Sequence, residues 1–190
     1  MTSSDKALID HLFLPGERTC LFVDGANFGA TLRYLEWDID YGNLREVFAS
    51  RSHMIAAYFY TAMKTGVKDD PMVRFVEWLA RHGYRTITKP MKYTGPDGEV
   101  RGDMDVEMVV DMVRMSDFID HLIVCTGDDD FRYAIRHLQE RGKRVTIVST
   151  EKASVQILAA ELVKQADAFI DVDDLRSELE RKPPRVRATS

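Results

Sequence analysis

Two hydrophobic rhythms alternate along the chain. Short apolar runs at residues 19–23, 54–61, 84–88, 121–126 and 144–148, with a brief sixth at 168–170, carry the β-branched and aromatic content of strands. Their continuous apolar character suits burial on both faces of a sheet. Between them lie stretches with helical spacing. One follows Asp69 or Asp70 as cap with Pro71 near its first position, a second covers 103–115, and a third runs over 131–140 and is stopped by Gly142. Strands separated by helices imply crossover connections, so the pattern predicts an α/β fold of three layers around a mostly parallel sheet, with the common order 3-2-1-4-5. An amphipathic segment at 7–14 stops at Pro15 and Gly16, and the stretch 92–101, with Gly95, Pro96, Asp97 and Gly98, reads as a loop or small hairpin just before a helix. The last ten residues hold two prolines and several arginines. The expected organisation is therefore an N-terminal helical extension over 1–18, one domain over 19–180, and a disordered basic tail over 181–190.

Composition narrows the class. With 190 residues, 45% hydrophobic and 30% charged, the chain suits a single globular domain. A net charge of -5 excludes a generally basic nucleic-acid coat but leaves room for a local basic rim. Cys20 and Cys125 both fall inside apolar runs, where a reduced thiol packs as a small hydrophobe, so the expected location is cytoplasmic. No apolar stretch approaches the roughly 18 residues of a membrane span. Asp5, Lys6, Asp10 and His11 interrupt the N-terminus where a signal peptide needs an apolar centre, so no membrane association is expected.

The acids are harder to place. Asp24 ends the first strand run, and Asp128, Asp129 and Asp130 follow the fourth. In open α/β sheets ligands bind outside the carboxyl ends of strands where the order reverses, so Asp24 and Asp128 face one crevice if that order holds. Taken singly, each reads first as a helix cap. Asp105 differs. Winding 103–115 at the helical period puts Asp103, Glu107, Asp111 and Arg114 on a polar face and Met108, Val109, Met112 and Val113 opposite, with Asp105 in the middle of the apolar side. A carboxylate aimed at the sheet costs several kcal/mol unless it is protonated, hydrogen bonded or bound to a cation. Asp130 begins a stripe continued by Ala134, Ile135 and Leu138, and a cap competes with a ligand role there. Oxygen donors without a His or Cys cluster point to Mg²⁺ or Mn²⁺ over Zn²⁺. The histidines at 11, 53, 82, 121 and 137 show no ligand spacing and are expected at the surface or its boundary. Lys89, Lys92, Arg101 and Arg132 lie on segments placed to rim the crevice, while Tyr93 and Phe28 are candidates for stacking bases, although packing is the commoner use of a lone aromatic. Ala26 stands where a haloacid dehalogenase would need its second acid, and residues 25–29 lack the G-x-G-x-x-G turn of dinucleotide binders.

Three motifs in order resemble one family. Phe22-Val23-Asp24-Gly25-Ala26-Asn27, then Arg101-Gly102-Asp103-Met104-Asp105-Val106 with Asp111, then Thr126-Gly127-Asp128-Asp129-Asp130-Phe131 followed by Gly142-Lys143-Arg144-Val145, resemble the NYN domain of the LabA-like group, within the PIN-like nucleases. The likeness runs over about 19–170. It implies metal-dependent cleavage of RNA, expected single-stranded, with Asp24, Asp105, Asp128 and Asp130 as metal-holding catalytic acids and Mg²⁺ or Mn²⁺ as the ion. Asn27, Asp103, Asp129, Arg101, Lys92 and Arg132 are then supporting or substrate-contacting residues. The chain departs from the family pattern at Arg101, where Lys is usual, at Asp103, where Asn is common, and at Asp129, where Gly is common. Those extra carboxylates leave the number of ions open. A regulatory RNA-binding or protein-binding module with a silent acidic site, and a homodimer, both stay open at this point.

Overall fold

A computed structural model describes residues 9–64, 66, 70–94, 99–152 and 157–180. Strands β1 (Arg18–Asp24), β2 (His53–Met63), β3 (Tyr84–Pro90), β6 (His121–Cys125), β7 (Arg144–Ser149) and β8 (Ala168–Asp171) form one sheet in the order β3-β2-β1-β6-β7-β8. Every neighbouring pair in it is parallel. Counted within the sheet alone the order is 3-2-1-4-5-6, which extends the expected order by the short sixth strand. The stretch before the second predicted helix, 103–115, holds β4 (Lys92–Thr94) and β5 (Glu99–Arg101), paired antiparallel.

The helices are α1 (Gly25–Tyr34), α2 (Tyr41–Ala49), α3 (Pro71–Arg81), α4 (Asp105–Met115), α5 (Arg132–Glu140), α6 (Ala160–Gln165) and α7 (Arg176–Leu179). Strand alternation divides the core in two. Leu21 and Val23 of β1, with Ile123 and Cys125 of β6, meet Phe28, Leu32, Leu44, Phe48 and Leu79 from α1, α2 and α3. Cys20, Phe22, Leu122 and Val124 face the other way, onto Met108, Met112, Ile135, Leu138 and Leu162 from α4, α5 and α6. The two cysteines are buried and free, and they point into opposite layers. Each fully buried side chain of this size contributes about 1.5–3 kcal/mol, so the two apolar layers dominate the stability of the sandwich. Asp70, and not Asp69, is the cap of α3: its carboxylate accepts from Met72 N at 2.9 Å. Asp69 lies outside the described residues, as do 1–8 and the 181–190 tail. Of the N-terminal segment, Ile9 and Phe13 are buried against the first layer.

Two expectations need correction. Asp111 is not on a polar face of α4. It is buried, accepting from Tyr60 Oη at 3.1 Å and pairing with Arg114 at 2.7 Å, while Val106, Val110 and Arg114 are exposed on that helix. The helical wheel mis-set the face because Met104, Met108, Met112 and Met115 define the buried stripe, and Asp111 is drawn under it by the Tyr60 hydroxyl on β2. His121 is fully buried and not at the boundary, since Glu17 and Thr146 satisfy both ring nitrogens, at 3.1 and 2.7 Å. No described helix is long and apolar enough to cross a membrane.

Candidate metal centre

The strand order reverses between β1 and β6, which run parallel with their ends in register at Val23 and Cys125. One residue further, Thr126 Oγ1 donates to Asp24 Oδ2 at 3.1 Å and ties the two strand ends together. Asp24 also caps α1: its Oδ1 accepts from Ala26 N at 3.0 Å and Asn27 N at 3.1 Å. Three hydrogen bonds fill three of the roughly four acceptor positions of a carboxylate. Asp24 is nevertheless pushed above the ordinary carboxylate range, chiefly by burial, with those hydrogen bonds opposing and the Asp128 charge adding to the push.

Beside it, oxygens of Asp105, Asp128 and Asp130 all lie within 4.8 Å of one another. Asp105 opens α4, one turn before Met108, and enters the crevice from the layer below. Asp128 caps the 3₁₀ turn Asp129–Phe131 by accepting from Asp130 N at 3.0 Å, and that tight turn brings Asp130 round beside it. Asp105 is pushed up to about 6, first by burial and then by the charges of Asp128, Asp24, Asp103 and Asp130. Like charges at this spacing repel by roughly 1 kcal/mol in water and about 3–4 kcal/mol at the effective dielectric of a protein surface. Among the described residues no lysine or arginine pairs with Asp105, Asp128 or Asp130, and the nearby Arg132 stands 3.8 Å from Asp129. Three oxygen donors, two half-buried and one exposed, with no cationic partner among the described residues, have the chemistry of a hard divalent cation site, so the residues present fit Mg²⁺ or Mn²⁺.

The surrounding residues set these acids in place. Asn27 spends its amide on the scaffold: Oδ1 accepts from Gly127 N at 2.8 Å and Nδ2 donates to Ile157 O at 3.3 Å. Gly127 has no room for a side chain, because a Cβ there would come within 2.0 Å of Ile157 O. Ala159 N closes the brace by donating to Gly127 O at 2.9 Å. Gly25 is equally confined, a Cβ meeting Tyr60 O at 2.6 Å, which lets α1 start hard against β2. The sequence shows Thr126 in the third motif without a role, and it does not point to the 157–159 backbone. A hydroxyl residue directly after a buried strand at the reversal point was the available signal for the first, and nothing local marks the second.

The other expected contributors divide. Asp103 is exposed near Asp105 and contributes to its charge environment, and Asp129 faces Arg132. Lys89 does not stand free at the rim, since its Nζ donates to both Glu107 oxygens at 3.0 and 2.8 Å. Phe28 cannot stack a base, being fully buried in the first layer. The side chains of Lys92, Tyr93 and Arg101 lie outside the described residues, although their backbone forms the hairpin next to α4.

Comparison with known proteins agrees with this geometry. The NYN domain family matches residues 18–176. The low amplitude and bright protein LabA of Synechococcus elongatus is 31% identical over 172 residues, which is 86% of this chain and 88% of that one. An uncharacterized protein of Methanocaldococcus jannaschii is 29% identical over 170 residues, covering 87% of this chain and 61% of its own. A crystal structure of a Vibrio parahaemolyticus protein of unknown function shares the fold with a TM-score of 0.69 and 25% identity, over 84% of this chain and 95% of that one. The crevice at the β1–β6 reversal, the acids that line it and these relatives lead to one assignment: the chain belongs to the NYN domain family, in its LabA-like group, and so to the PIN-like nuclease superfamily.

Proposed function

We propose that this protein is a divalent-metal-dependent ribonuclease that hydrolyses phosphodiester bonds of single-stranded RNA at the Asp105–Asp128–Asp130 cluster. The observation that carries the reading is the convergence of three carboxylates from two separate segments with no cationic partner among the described residues, in a crevice where Asp105 is already driven up to about 6. Asp105, Asp128 and Asp130 hold the ion, and Asp24 supports them from beneath. When bound, the ion supplies neutralisation of charge developing on the phosphodiester and a more acidic water. The remaining work belongs to the protein. Thr126 and Asp24 fix the spacing of the two strand ends, and Asn27 holds the Gly127 turn so that Asp128 and Asp130 present their oxygens on one side. No described side chain is assigned as a separate general base, since an ion held by these acids would itself make water more acidic.

Cleavage of a labelled single-stranded RNA with Mn²⁺ or Mg²⁺, repeated in EDTA and with Asp105→Asn, tests this. Cutting with metal alone, lost in the variant, is the expected result. Metal-dependent cutting that survives Asp105→Asn refutes the role given to Asp105. A second reading has its own support, because Asp24 and Asp128 already serve as helix caps and would be needed in a protein that cuts nothing. That regulatory module would bind RNA or a protein with equal strength whether or not metal is present.

A further inference from the structure

Helix α5 leaves the acidic cluster with an aromatic ring on its outer side. Tyr133 is 73% exposed, more than any other large apolar side chain described. It follows Asp130 by three residues, so at most about 11 Å of chain separates their Cα atoms. The helix sends Ile135 and Leu138 into the core and leaves Tyr133 out of it, so packing gives no reason for the ring. The Arg132 guanidinium stands 5.5 Å from the ring centroid. Arg132, Tyr133, Arg136 and Gln165 together line a cavity of about 270 Å³, with no acid among its described lining residues. Clefts for drug-sized ligands begin at roughly 300 Å³, so this one suits a single flat ring. Arg132 meets Asp129 at 3.8 Å and Arg136 meets Glu140 at 3.0 Å, both through Nε and between solvent-exposed groups. Such pairs contribute about 0–1 kcal/mol, which a phosphate readily displaces.

We propose that this cavity is a nucleotide subsite in which the Tyr133 ring stacks one unpaired base of the RNA whose adjoining phosphate lies at Asp105–Asp128–Asp130, while Arg132 and Arg136 contact the backbone phosphates on either side of that base. The inference rests on the ribonuclease reading and narrows it. A base inside a duplex hides both faces against its neighbours, so a stacking subsite next to the scissile bond demands single strand there. Every base has a π-face, and the subsite therefore selects strandedness over sequence. Two guanidiniums flanking an aromatic ring favour a polyanion over a second copy of this acidic chain.

Steady-state cleavage of a labelled oligouridylate in Mn²⁺ separates the two readings. Tyr133→Ala should raise KM roughly 5- to 150-fold, the range for losing one stacked base, with kcat within about threefold. Tyr133→Phe keeps the ring and should hold KM within about twofold. Arg136→Gln should reduce the slope of log kcat/KM against log salt by about one unit. Annealing the complementary strand should suppress cutting. The exposed position of Tyr133 predicts unchanged melting in both variants, so loss of fold does not confuse the result. If wild type cuts and Tyr133→Ala has the same KM, or if duplex is cut as fast as single strand, the subsite is wrong while the ribonuclease reading stands. If wild type cuts no RNA with any divalent ion, both fall together. A KM rise shared by Tyr133→Phe assigns the effect to the hydroxyl and overturns stacking. An unchanged KM with a shift from dimer to monomer in sedimentation gives the ring to a protein contact instead.

Discussion

The two ends of the central sheet hold acids in opposite ways. At the amino end, Glu17 is 5% exposed by side chain yet fully partnered: Arg144 donates to Oε1 at 2.7 Å, and His121 meets Oε2 at 3.1 Å. Asp120 next to it accepts from the Arg18 guanidinium at 2.9 and 2.7 Å and is pulled down to about 2, first by that hydrogen bond. At the carboxyl end, three oxygens from Asp105, Asp128 and Asp130 crowd within 4.8 Å with no cationic partner among the described residues, and Asp105 is pushed up to about 6. The same residue type thus sits at opposite ends of its titration range in one sheet. Where acids only hold strands together, the chain supplies arginine and histidine. Where they crowd without such partners, the structure keeps a field that a mobile cation can satisfy.

The contrast breaks most visibly in activity. Asp105→Asn should reduce metal-dependent cleavage by at least about a hundredfold while leaving the fold intact, since an uncompensated charge is removed and its shape is kept. Circular dichroism beside the cleavage assay checks both halves, and a folded variant that still cuts at the wild-type rate would contradict the contrast. At the other end the loss falls on stability. Glu17→Ala leaves His121 and Arg144 facing each other without their acceptor and should cost roughly 2–3 kcal/mol in urea unfolding, a little under the range for breaking a fully buried pair because Arg144 is about one-third exposed. The rise in melting temperature on adding Mn²⁺ should survive Glu17→Ala and vanish in Asp105→Asn.

Much of this arrangement is legible in the sequence, for reasons that separate the two ends. Buried parallel strands announce themselves by unbroken apolar runs, and all six sheet strands lie where those runs predict. Asp24 and Asp128 are visible because a charge directly after such a run must meet something at the strand end. Asp105 stands out because it shares a helical face with Met108 and Met112. Burial decided by long-range partners is not legible. Asp111 looks solvated until Tyr60 arrives from β2, and His121 looks peripheral until Glu17, 104 residues away, takes its ring nitrogen. Tyr133 lies off the stripe of Ala134, Ile135 and Leu138, so its exposure follows from the sequence, but nothing local marks an outward ring as functional.

Acid titration sharpens the comparison with smaller effects of opposite sign. The folded-state value of Asp120 lies below its ordinary one, so its contribution is present above about pH 4 and is lost as pH falls toward 2. Asp105 is raised, so the metal-free protein binds that proton more tightly folded than unfolded. Its stability should fall as pH climbs from about 4 to 6 and stay flat beyond. Unfolding measured in EDTA across pH 2–7 should show both limbs. Asp120→Asn should flatten the lower limb alone and Asp105→Asn the upper alone, and a single variant that abolishes both would show the two ends to be coupled.

The finest distinction is at Asp24, which belongs to both kinds of acid at once. Its three hydrogen bonds make it a cap and a strand clasp like the partnered acids, while burial and the Asp128 charge raise it like the crowded ones. Asn caps a helix about as well as Asp through its one amide oxygen, and its amide nitrogen in the place of Oδ2 can donate to Thr126 Oγ1, which then accepts, but it carries no charge to desolvate. In EDTA, Asp24→Asn should therefore be as stable as wild type or slightly more so, whereas Asp24→Ala should lose about 0.5–2 kcal/mol with the cap. Repulsion relieved in this way is attraction forgone once an ion binds, so the same Asp24→Asn protein should show a smaller Mn²⁺-induced rise in melting temperature. If Asn destabilises the metal-free protein as much as Ala does, the charge of Asp24 is itself structural, and the carboxyl end of the sheet has less unsatisfied field to offer a cation than the crowding of Asp105, Asp128 and Asp130 implies.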